Sequence, residues 1–179
     1  MNPLLREFLD PILSGNPVFM TTLGALLALV ESRRVRPACV SAVRIGVVFA
    51  GVAMAGGVLA AGVPASVRPL TLLVGVAAGV GLLLAWGELR GEWAGLPRPV
   101  LALVPLAGLQ MTVAALPGPA EMVAAGAGAA LGFAWAFIAL AAVREAVRMA
   151  ECDARFKTTP VLLLSMGIFA LTLYGFVLL

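Results

Sequence analysis

Long, nearly uncharged stretches alternate along this chain with short segments that hold most of its arginines. A helix needs about 20 mostly apolar residues to cross the hydrocarbon core of a bilayer. The stretches at residues 11–30, 38–63, 69–86, 99–116, 120–143 and 159–179 have that length and character. Six spans are therefore predicted. Val63-Pro64 and Arg68-Pro69 separate the second from the third, because proline interrupts a helix. Composition points the same way. The chain is 62% hydrophobic and 12% charged, against about 45–50% and about 25% for soluble domains. A core built from 179 residues cannot hide that excess from water.

The loops orient the chain. The first carries Arg33, Arg34 and Arg36, and the second only Arg68. The third carries Arg90 and Arg98, diluted by Glu88 and Glu92. The fourth has no positive charge, and the fifth holds Arg144, Arg148, Arg155 and Lys157. Lysine and arginine are retained on the cytoplasmic side, whereas acidic residues count for little. Loops one, three and five are thus expected in the cytoplasm, with both termini outside, on the periplasmic face. The expected home is the inner (plasma) membrane of a bacterial or archaeal-type cell. One transmembrane domain fills residues 1–179. Its halves, about 1–96 and 97–179, would enter the membrane from opposite sides as inverted three-helix repeats. Residues 1–10 mix Arg6 with Glu7 and Asp10, unlike a cleaved signal peptide. Residues 3–10 read as an amphipathic lead-in at the interface.

Several function classes are excluded. There is no histidine, so the commonest general base and metal ligand is missing. Cys39 and Cys152 alone make neither a disulfide framework nor a four-ligand metal site. No nucleophile–base pair or phosphate loop is present. The net charge of +3 is explained by topology, and no aromatics interleave with the arginines as nucleic-acid binding would require.

Spans one and four differ from the others. Span one contains Pro17, Thr21, Thr22 and Gly24, and span four contains Pro105, Gly108, Gln110 and Thr112. Proline removes a helix hydrogen bond and glycine permits a bent backbone. Broken helices at matching positions of two halves point to a site near the midplane. The candidate pathway residues are Thr21, Thr22, Gly24, Pro105, Gly108, Gln110 and Thr112. A plain proline kink is the competing reading, and the commoner one in membrane helices.

Single residues carry weaker signals. Arg44, early in span two, reads either as a charge on an ion path or, preferably, as a side chain snorkelling to the cytoplasmic interface. Glu121 reads as the cap of span five. Gly75 with Gly79, and Gly128 with Gly132, form small faces for close helix approach. Trp86 and Trp93 fit an interfacial belt, and Trp135 fits packing.

The run Ala141-Ala142-Val143-Arg144-Glu145, the pair Phe156-Lys157 (with Arg155 where proline is usual), Gly167 and the run Tyr174-Gly175-Phe176 carry a resemblance. Residues 16–30, with Leu23-Gly24, and the run Val104-Pro105-Leu106 extend it to the other broken span. The chain resembles the six-span membrane subunits of the Rnf and Nqr electron-transport complexes, in their RnfA/NqrE branch. The resemblance implies a subunit of an ion-translocating oxidoreductase, of the translocase class, that works beside an inverted RnfE/NqrD-like partner. It also implies two cysteines that hold an iron–sulfur cluster between the partners. Here Leu26 and Met111 stand at those positions, with Gln110 in place of an asparagine. Neither side chain offers the thiolate such a cluster needs. The expectation is a transmembrane scaffold, with an electron or ion path but no metal and no cofactor of its own. Flavins and any cluster would belong to partner subunits. A cofactor-free assembly subunit and a small inverted-repeat transporter are the alternatives.

Overall fold

A computed structural model describes residues 3–19, 24–31, 35–64, 66–89, 92–93, 96–150 and 159–177. Among them the fold is helical, apart from one two-residue antiparallel pairing, β1 (Glu92–Trp93) with β2 (Leu96–Pro97), in the third loop. The helices are α1 (Pro3–Leu9), α2 (Ala25–Glu31), α3 (Val35–Ala61), α4 (Arg68–Ala85), α5 (Arg98–Ala114), α6 (Pro119–Met149) and α7 (Thr159–Val177). Helices α3, α4 and α6 each contain a span long and apolar enough to cross a membrane, and α5 and α7 carry shorter apolar segments. The protein is therefore membrane-embedded.

The centre of the molecule is the pair α3 and α6. Ile45 and Phe49 of α3 and Phe133, Phe137 and Leu140 of α6 are fully buried. The Phe49 and Phe133 rings stack tilted with centroids 4.8 Å apart, and Phe137 continues the stack from Phe133 at 5.6 Å. The helices meet closely because Gly46 faces the main chain at Ala130: a Cβ on Gly46 would stand 3.2 Å from the Ala130 oxygen. Small residues serve here because apolar lipid offers no hydrophobic drive to join two apolar helices, so close van der Waals contact must do it. Helix α5 lies against α3 and α4, and α4 packs on α3. Helix α7 rests on α6 and leaves Leu163, Leu164, Ile168 and Leu171 exposed.

The ends of the helices follow local chemistry. Helix α4 closes with Gly87 at φ 77°, which lets the Gly87 and Glu88 amides donate back to Leu84 and Leu83 at 3.0 and 3.1 Å. This left-handed turn is one that glycine adopts without a steric penalty. At α6, Pro119 occupies the first turn and the Gly118 amide donates to Glu121 Oε2 at 3.1 Å. The capping role read for Glu121 is what the structure contains.

Residues 3–9 of the expected lead-in form α1, which packs on the N-terminal half of α6, where the Phe8 main chain lies against Gly128. One expectation is corrected: span four is not broken. Helix α5 runs without interruption through Pro105. A single proline removes one main-chain hydrogen bond, and a helix packed on two neighbours tolerates that loss.

Candidate functional site

The first predicted span does not begin as a helix. Between α1 and α2 the described chain at residues 10–19 forms successive turns. Pro11 and Pro17 offer no N–H, and the residue before each is biased away from helix. The turns are closed locally: the Asp10 amide donates to Arg6 O at 2.9 Å, and the Gly15 amide to Asp10 O at 2.7 Å. The Ser14 hydroxyl donates to the Asp10 carboxylate. The Gly24 amide returns to Pro17 O at 3.0 Å, at the threshold of α2.

Such a backbone survives at membrane depth only if protein groups satisfy it. Asn16 does so from a fully buried position. Its Oδ1 accepts the Val18 and Phe19 amides at 2.9 and 3.1 Å. Its Nδ2 donates to Gly132 O of α6 at 3.0 Å and to Ile12 O at 3.3 Å. Trp135 Nε1 donates to the same Ile12 oxygen at 3.0 Å. Trp135 is thus a hydrogen-bonding partner as well as packing. Phe19 sits between Trp135 and Phe169 of α7, with ring centroids 5.2 and 5.1 Å away.

The two glycines of α6 make this contact possible. A Cβ on Gly132 would stand 2.2 Å from the Pro11 oxygen, and one on Gly128 2.1 Å from the Phe8 oxygen. The small face read from the sequence accepts a segment of the same chain. A Cβ on Gly24 would likewise meet the Phe133 ring at 2.8 Å.

Beside the non-helical arm lies a cavity of about 330 Å³. Glu7, Asp10 and Gly15 line it from the first arm, Thr112 and Leu116 from α5 and its end, and Ala129 from α6. Two carboxylates and a hydroxyl therefore meet an otherwise apolar wall. The Thr112 hydroxyl donates to Leu109 O at 2.9 Å, which leaves its lone pairs as acceptors. This set is suited to attract a cation and does not resemble a nucleophilic or redox centre. Glu7 and Asp10 were not singled out from the sequence, because their place depends on α1 folding against α6. No group of three or more histidine, cysteine or acidic residues able to hold a metal occurs among the described residues.

Gln110 is elsewhere. It is fully buried where α3, α4 and α5 meet, and its Nε2 donates to Val52 O at 3.1 Å. The amide is wedged between two backbones: a Cβ on Gly56 or Gly75 would stand 2.2 or 2.3 Å from Nε2. Its Oε1 is buried with no hydrogen-bond partner among the described residues. The other candidate pathway residues divide similarly. Pro105 is buried, Gly108 is half-buried and Thr112 lines the cavity. Thr21 and Thr22 lie outside the described residues, as do Cys152 and the Leu26 side chain. Met111 is 64% exposed on the outside of α5. The structure thus joins Thr112 to the non-helical arm and sets Gln110 apart from it.

Arg44 is half exposed and paired: its Nη1 donates to Glu88 Oε1 at 2.7 Å, and Ser41 donates to Glu88 Oε2 at 2.6 Å. The pair fastens the turn after α4 to α3.

Compared with protein-family models and with curated proteins, the chain matches none.

Proposed function

We propose that this protein is an integral-membrane subunit of an Rnf/Nqr-like ion-translocating electron-transport complex. In it the chain serves as a transmembrane scaffold and part of an electron or ion path, with no iron–sulfur ligand of its own. The observation that carries the reading is the non-helical start of the first predicted span, held by Asn16 against the glycine face of α6. Irregular backbone within a bilayer is tolerated only where protein buries it or it lines a cavity, and in inverted-repeat transporters it marks the site. The exposure of Met111 is in keeping with this reading. A site at that position would open toward a partner and not toward the interior of this chain. The packing of α1 on α6 and of α5 on α3 is in keeping with two inverted halves, about 1–96 and 97–179. Six spans with both termini outside belong to the same reading, on the arginine pattern of the loops.

Extraction of the protein from its native membrane in mild detergent tests this reading. Co-elution with flavin- or iron–sulfur-bearing subunits is the expected result. Elution of the chain alone, under conditions that keep other membrane complexes whole, overturns it.

The cavity lined by Glu7, Asp10 and Thr112 favours a second reading, a small cation transporter. Cation flux into liposomes that contain this chain alone, lost in Asp10→Asn, would select it over the first.

A further inference from the structure

A second concavity lies on the opposite side of Gln110, between the outer surfaces of α3 and α4. It encloses about 440 Å³ and is open along its length. Ala55, Gly56 and Leu59 line it from α3, and Thr71, Val74 and Ala78 from α4. The only hydroxyl in this wall, that of Thr71, already donates to Arg68 O at 2.8 Å. The wall is therefore almost wholly hydrocarbon. Its volume falls within the roughly 300–1,000 Å³ of small-molecule sites. The floor is closed by Gly56 and Gly75, which the Gln110 amide backs. The occupant of such a groove is apolar in its body.

Arg68 supplies the other half of the site. Residues three and seven apart share a helix face, so Arg68, Thr71 and Gly75 form one stripe, and the last two line the groove. Arg68 Nε donates to Val63 O at 3.2 Å, which holds the guanidinium over the end of the helix pair. That placement does not serve α4. A cation in the first turn opposes the positive end of the helix dipole. An anion at the same point is attracted by the guanidinium, and Arg forks match phosphate oxygens. We infer that this face binds an anionic phospholipid, with an acyl chain in the α3–α4 groove and the headgroup phosphate at Arg68.

Native mass spectrometry of the intact protein, released from micelles doped with phosphatidylglycerol or phosphatidylcholine, tests the inference. One basic residue near a membrane surface shifts lipid preference by about five-fold. Phosphatidylglycerol should be retained about five-fold more than phosphatidylcholine. Arg68→Gln should abolish that preference. Ala55→Phe with Ala78→Phe should reduce retention of both lipids, and these exposed positions fill the groove without disturbing the core. Equal retention of the two lipids by the parent protein overturns the inference. So does a preference that survives Arg68→Gln, or retention that the two phenylalanines leave unchanged. A protein chain found seated on this face in the native complex, with no lipid retained, also overturns it.

Discussion

The Asn16 side-chain amide donates to the Gly132 main-chain oxygen at 3.0 Å, which joins residues 116 positions apart in the sequence. Through this bond a non-helical arm is fixed to α6, the longest of the described helices. Replacing Asn16 with leucine keeps the branched shape, adds bulk and removes all four side-chain hydrogen bonds. It leaves the Val18 and Phe19 amides without their acceptor, and each unsatisfied group costs about 1–3 kcal/mol. A loss of about 3 kcal/mol or more is expected in detergent unfolding. Asn16→Asp should be at least as damaging, because a carboxylate would face the Gly132 and Ile12 oxygens. If Asn16→Leu unfolds like the parent, the bond has no anchoring role.

Gly132→Ala should destabilise by about 2 kcal/mol or more. The added methyl meets main-chain oxygen at Pro11 and not a side chain that can turn away. Gly81→Ala is the control: nothing lies within 4 Å of its Cβ position, so the change should be neutral or slightly stabilising. Thermal melts of both variants check the contrast. Equal melting temperatures would mean that the Pro11 segment and α6 separate easily.

Gln110→Met should leave stability within about 1 kcal/mol of the parent, because it removes one hydrogen bond and one unsatisfied buried oxygen together. Gln110→Glu should unfold markedly earlier. It loses the donor to Val52 and places a carboxyl between two glycine backbones. The melting order Met above Glu is the outcome to look for, and the reverse order contradicts the arrangement at Gln110.

The pair Arg44–Glu88 is uneven in burial, with side chains 48% and 11% exposed. Screening on the arginine side limits its worth to about 1 kcal/mol. A double-mutant cycle with Arg44→Met and Glu88→Gln should yield a coupling of that size that weakens at high salt. A coupling indistinguishable from zero at low salt would leave Ser41 as the sole anchor of the turn.

Thr112→Cys, in a background with Cys39 and Cys152 replaced by serine, should react with a membrane-impermeant maleimide. The carboxylates of Glu7 and Asp10 at that cavity should admit water. Met111→Cys, on the exposed apolar side of α5, should react far more slowly in bilayers. Equal rates would show that the cavity is dry.

Much of the helical plan was legible in the sequence. The stretches expected at 38–63, 69–86 and 99–116 became Val35–Ala61, Arg68–Ala85 and Arg98–Ala114. Hydropathy and flanking prolines are local signals, so they suffice for such boundaries. The place of α1 was not legible, because it depends on a glycine face far along the chain. The separation of Gln110 from Thr112 could have been read: two positions on a helix differ by about 200°, so they cannot share one face. The integrity of α5 through Pro105 could not, since neighbouring helices decide whether a kinked helix breaks.

By itself the sequence determined the solvent of this protein and the approximate bounds of its apolar helices. Each of these follows from side-chain hydropathy or from proline, which act within a few residues of themselves. The tertiary structure alone decided what receives the non-helical arm, which carboxylates enter the cavity and where the amide of Gln110 is lodged. Those outcomes rest on main-chain contacts near 3 Å between distant segments, and only glycines brought face to face by folding permit them.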